Sequence, residues 1–281
     1  MSVASLYIPA VYSLIAVGVW GTSDFLGGVG VRRANAFLFT AIVHICGLVA
    51  VGTLALITHA PFPGNSSLAW SLMAGSVGGI ALALFYRALA AGNMGLVAPV
   101  AAVLGAAIPT IVTAFAEGFP GYRHVFGFIL AGIGVWLISR SEGGAGRPEG
   151  LGMAVLAGIG FAGFYLCVHQ AGDASALWVA ACSRSASLLV TAAFVLVGRH
   201  LRAVPPPVLG LALICGILDI TGSALFIRAS QIGRLDNAVV LSSLYPAITV
   251  VLARIFLHEH FSRARTIGMV AALAAVPMIA G

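Results

Sequence analysis

Runs of predominantly apolar residues, each close to the ~20 needed to cross a bilayer as a helix, follow one another along this whole chain. They fall at about 7–30, 35–57, 67–91, 94–116, 124–139, 150–171, 174–197, 207–232, 236–257 and 264–281. The connections are short and carry turn-forming residues: Pro61-Phe62-Pro63-Gly64-Asn65, Pro120-Gly121, Gly143-Gly144-Ala145-Gly146 and Pro205-Pro206-Pro207. In hydrocarbon every backbone N–H and C=O must be satisfied within its own segment, so such runs predict helices. The expected fold is an all-α integral membrane protein of ten transmembrane helices, multi-pass in the inner (plasma) membrane. Composition agrees. Of 281 residues, 60% are hydrophobic and 8% charged, where soluble domains carry about 25% charged. No basic segment precedes the first run, which is too long for a signal peptide and reads as a first span.

The 14 basic residues are all arginine, giving a net charge of +6. They stand in ones and twos at the ends of apolar runs, not in the clustered stripe that nucleic acid requires. No nucleic-acid partner is expected. With a cytoplasmic N-terminus, the loops left outside would hold Arg32, Arg33, Arg140, Arg147, Arg199, Arg202, Arg263 and Arg265, and those inside only Arg123 and Arg234. The positive-inside rule therefore favours both termini outside. Cys46, Cys167, Cys182 and Cys215 form no CxxC and read as small packing residues. His258-Glu259-His260 lacks the spacing that sets two histidines on one helix face. No metal or cofactor is expected, and a chain without lysine has no P-loop. Energy for any transport must come from gradients.

Shifting the chain on itself by 141 residues lays Ala83-Leu84-Phe85-Tyr86-Arg87-Ala88 on Ala224-Leu225-Phe226-Ile227-Arg228-Ala229. It also pairs Gly92 with Gly233, Phe115 with Phe256, Gly127 with Gly268 and Ala131 with Ala272. The expectation is two five-helix repeats, 1–141 and 150–281. Five is odd, so the second enters the membrane inverted, an architecture of secondary transporters with a binding site at the midplane. Gly127/Ala131 and Gly268/Ala272 are small-xxx-small pairs suited to close helix contact within a monomer or across a homodimer.

Trp20-Gly21-Thr22-Ser23-Asp24-Phe25 in the first span resembles a signature of the drug/metabolite transporter superfamily, in particular its EamA-type exporters. Pro246 … Leu257-His258-Glu259-His260-Phe261-Ser262 … Gly268 is similar to that family's proline, glutamate and glycine series, and Glu117-Gly118 … Gly127 … Gly134 to a weaker first copy. The resemblance implies ten helices around a central cavity that export small organic molecules. Aromatic and neutral amino acid exporters of the YddG type give the substrate expectation, with multidrug or other metabolite export as the alternative. Two departures stand out: the arginine count favours an orientation opposite to the one common among these exporters, and Gly105 occupies the position matching Pro246.

Ionisable residues inside a membrane are expensive and mark sites. Substrate-binding candidates are Trp20, Asp24, Tyr86, Phe164, Tyr165, Asp219, Ser242 and Tyr245. A zwitterion needs an acceptor for its ammonium, donors for its carboxylate and an apolar wall. Asp24 or Asp219 supplies the first; Arg87, Arg228 or serine hydroxyls the second; Trp20, Phe164, Tyr165 and Tyr245 the third. Other readings stand beside these. Asp219 can pair with Arg184 as a structural bridge, and Arg87 and Arg228 can snorkel to the interface. Protease-dyad use of Asp24 and Asp219 lacks the expected GxGD context, no histidine stands by a serine nucleophile, and no span shows the continuous polar stripe of a channel. No enzymatic activity is expected.

Overall fold

A computed structural model describes residues 3–91, 94–116, 118–119, 121–139, 150–258 and 263–280. Among them no β-strand occurs, and eleven helices follow in order: α1 Val3–Gly30, α2 Ala36–Ile57, α3 Asn65–Ala91, α4 Met94–Ala116, α5 Tyr122–Ser139, α6 Leu151–Gln170, α7 Ala176–Val197, α8 Pro206–Ile232, α9 Leu235–Ser242, α10 Tyr245–Phe256 and α11 Arg263–Ala280. Eight stretches are long and apolar enough to cross a membrane, counting α9 with α10 as one. The other two helices, α5 and α11, are 18 residues each and pack on each other. Ala131 of α5 is buried; the side chain of Ala272, together with Glu117, residues 140–149 and the stretch Glu259–Ser262, lies outside what is described. The outer surface is aliphatic and aromatic, with Leu189, Val197 and Phe115 largely exposed. A bilayer tolerates so much exposed apolar surface and water does not. The chain is an all-α integral membrane protein.

The ninth span is not the single helix expected over 236–257. It breaks between α9 and α10 because Pro246 has no N–H for the carbonyl of Ser242 and its ring crowds that carbonyl. The backbone tightens through the break, with Leu244 N–H donating to Leu241 O (3.2 Å) and Ala247 N–H to Leu244 O (3.0 Å). At the matching place α4 carries Gly105 and runs on unbroken.

Packing partners are interchangeable between the halves. α1 lies on α8 as α6 lies on α3; α2 meets α8 as α7 meets α3; α1 meets α9 and α10 as α6 meets α4. Further close pairs are α2 with α7, α4 with α5, α4 with α9 and α10, and α5 with α11. α2 and α7 are both 22 residues long and start 140 residues apart, whereas α3 and α8 are both 27 and start 141 apart. The extra residue falls in the α7–α8 connection. Close approaches match as well. A Cβ on Gly75 would strike the Ser183 carbonyl, and one on Gly216 would sit 2.7 Å from the Val43 carbonyl. His44 and Arg184, which correspond across the halves, bond to each other.

The two ends of the bundle are set by contacts between connections. At the first end Phe37 stacks on Phe194 at 5.1 Å, and residues 32–35 share a crevice with 200–204. At the second, Trp178 Nε1 donates to Ala60 O (2.8 Å), Gln231 Nε2 to Gly172 O (2.9 Å) and Arg234 to Gly118 O (3.2 Å).

Candidate functional site: a central aromatic cavity with two carboxyls

Halfway between the ends, α1, α3, α6, α7, α8 and α10 enclose a narrow cavity of about 60 Å³. Its aromatic side is Trp20, Phe161, Phe164, Tyr165 and Tyr245; its polar side is Asp24, Asp219, Arg184, Ser183, Ser187 and Ser223, with Gly78 and Leu82 between. A cavity this size holds a handful of waters.

Trp20 is fixed from below and behind. Its indole N–H donates to the Asp219 carbonyl (3.2 Å), and its ring lies on Gly222, where a Cβ would be 2.6 Å from it. Phe226 (5.7 Å), Tyr165 (6.3 Å) and Tyr245 (6.5 Å) surround it, and Tyr165 and Phe226 are 4.7 Å apart. Such tilted and edge-on pairs suit the ring quadrupoles. One turn along α1, Asp24 turns into the same space. Its neighbours on the helix are held by Ser23 Oγ donating to Cys215 O (3.2 Å) and Thr249 Oγ1 to Gly21 O (3.0 Å). The Asp24 carboxyl, 6% exposed, takes no hydrogen bond or ion pair from any described residue.

Asp219 is placed differently. Its Oδ2 lies 2.7 Å from Arg184 Nη2, an ion pair by distance whose angles fall outside those of a hydrogen bond. The guanidinium also donates to Ser223 Oγ (3.0 Å), which donates in turn to the Asp219 carbonyl (2.9 Å). Nη1 of Arg184 meets His44 Nδ1 at 2.9 Å. A guanidinium has only protons to give, so Nδ1 accepts and the histidine proton sits on Nε2. That Nε2 is buried without a partner among the described residues.

Of the eight candidates, Trp20, Asp24, Phe164, Tyr165, Asp219 and Tyr245 line the cavity. Tyr86 and Ser242 do not. Tyr86 packs its fully buried ring against Gly27, behind α1, with its hydroxyl 3.3 Å from Ser23 Oγ. Ser242 is the last residue of α9, and its buried Oγ has no partner among the described residues. Arg87 and Arg228 are exposed towards opposite ends, as snorkelling requires, and neither lines the cavity. The bridge between Asp219 and Arg184 is present. Arg184 also lines the cavity, a role the sequence reading did not give it; its signal was an arginine in the middle of an apolar run, as was His44's among the histidines. Gly78, Leu82, Ser183 and Ser187 carry no such signal.

Residues 148–281 match the EamA-like transporter family. Comparison with curated protein sequences gives no significant match. A protein known by crystal structure superposes with a TM-score of 0.77 at 17% identity, over 96% of this chain and 97% of that one. At that identity the likeness speaks for the fold alone, which is shared end to end. The sequence match and the helical membrane architecture agree: this chain carries an EamA-like transporter family domain of the drug/metabolite transporter superfamily in residues 148–281.

Proposed function

We propose that the chain is a secondary transporter of small organic molecules bearing an ammonium group, with aromatic and other neutral amino acids foremost, exported across the inner membrane by alternating access of two inverted repeats. The repeats are 1–141 and 150–281, and α5 and α11 complete ten crossings. The interchangeable packing partners support the repeats, and the family match covers the whole of the second one.

The observation that carries the substrate reading is the Asp24 carboxyl, unpartnered among the described residues and facing aromatic rings in a mid-membrane cavity. A carboxylate with ring faces beside it recognises an ammonium by charge and by cation–π attraction. Arg184 is the cavity's donor for a carboxylate, and a zwitterion reaches it by competing with Asp219. Trp20, Phe164 and Tyr165 offer the wall for a neutral or aromatic side chain.

The test is Asp24→Asn in liposomes taking up labelled phenylalanine. Losing a charged hydrogen bond of about 1.5–3 kcal/mol raises the apparent KM about 10–100-fold, with the melting temperature of the purified variant unchanged. Unchanged transport kinetics in a folded Asp24→Asn protein would remove Asp24 from the site.

A further inference from the structure

We propose that a basic crevice at the first end of the bundle binds the phosphate of an anionic membrane lipid. Arg32, Arg33 and Asn35 from the α1–α2 connection and His200 and Arg202 from the α7–α8 connection line an opening of about 540 Å³. A second opening of about 310 Å³ shares Asn35 and His200 with it and adds Arg87 from the last turn of α3. Four guanidinium groups from three separate elements thus line two adjoining openings. Among the described residues, none of the four has an ion pair or hydrogen bond and no carboxylate lines either opening. Like charges crowded this way repel unless an anion lies among them. Guanidinium forks match phosphate oxygens two at a time.

The fold by itself does not demand this charge. At the second end the corresponding connections are 171–175, Ala-Gly-Asp-Ala-Ser, and 58–64, Thr-His-Ala-Pro-Phe-Pro-Gly. They hold Asp173 and His59 and no arginine, although Arg228 stands where Arg87 stands. Positive charge has been gathered into one of two similar recesses.

A lipid, and not a soluble phosphate, is the occupant because of what borders the recess. Val197 ends α7 and Leu201 stands between His200 and Arg202 in the α7–α8 connection, at 85% and 71% exposure, with Phe194 one turn below, half-exposed. These surfaces suit acyl chains hanging from a headgroup held at the arginines. The arginine-rich end is also the one the positive-inside rule turns to the cytoplasm, whose leaflet is anionic.

The experiment is thermal unfolding of the full chain in neutral detergent, titrated with short-chain phosphatidylglycerol. Phosphatidylcholine of the same acyl length, inorganic phosphate and glycerol 3-phosphate make the other arms. Phosphatidylglycerol is expected to raise the melting temperature saturably by about 3 °C or more, and the other three not at all. Arg33→Gln/Arg202→Gln is expected to lose the rise and Arg228→Gln to keep it. The wild type gives a reading that needs no variant: the rise disappears in 1 M salt, where screening acts within about 3 Å. An equal rise with phosphatidylcholine, or one that survives the double substitution or 1 M salt, would overturn the site. An equal rise with inorganic phosphate would overturn the lipid in favour of a soluble anion.

Discussion

Asp24 and Asp219 are the same residue type on the wall of one cavity, and their surroundings give them different work. Asp219 has Arg184 at 2.7 Å, and the guanidinium is further occupied by Ser223 and His44. Breaking such a buried pair leaves a charge without compensation, at a cost of about 3–5 kcal/mol. Arg184→Met is therefore expected to lower the melting temperature sharply, and Arg184→Met/Asp219→Leu to recover most of the loss; a double variant as unstable as the single one would show that the pair is not the reason. Asp24 has no such partner among the described residues, so Asp24→Asn is expected to spare stability and cost transport. Charged and aromatic residues in apolar runs are legible in sequence because they violate their context, which is how Trp20, Asp24, Tyr165 and Asp219 stood out. Tyr86 shared that signal and lies behind α1, and the uncharged Ser242 does not line the cavity either. Helical spacing fixes which residues share a face but not which neighbour the face meets. Arg184 was legible only as a partner because nothing in sequence places it beside the open space.

At the scale of helices, contact is set by where small residues let backbones approach. Gly75 lies against the Ser183 carbonyl at the α3–α7 crossing, whereas Gly210 of α8 has open space where a Cβ would stand. Gly75→Leu is expected to abolish the monodisperse protein on size exclusion, and Gly210→Leu to leave it and its melting temperature intact. Equal behaviour of the two would contradict the packing described. The span boundaries were legible to within a few residues because hydrocarbon thickness fixes helix length. The break at Ser243–Leu244 was not read, although Pro246 was in view. Prolines sit inside α4 at Pro99 and Pro109 without a break, so proline alone does not separate a kinked helix from an interrupted one.

For the molecule as a whole, charge predicts the orientation. The described first end holds Arg32, Arg33, Arg87, Arg199, Arg202, Arg254 and Arg263, and the second end Arg123, Arg228 and Arg234. With the first end cytoplasmic, a cysteine replacing Phe62 in a background without native cysteines is expected to react with an impermeant maleimide added to intact cells. One replacing Leu201 should react only after lysis, and the reverse pattern would invert the protein and remove the leaflet argument for the lipid site. The proposed duplication was legible in residues that match across the halves, such as Phe85-Tyr86-Arg87 and Phe226-Ile227-Arg228. The cavity was not, since its walls come from six helices of both halves. The most direct test of the transport account is uptake of labelled phenylalanine by liposomes holding the purified chain, with and without unlabelled phenylalanine inside. The account predicts saturable uptake accelerated by internal substrate. Uptake that rises linearly with concentration and ignores internal substrate would contradict it.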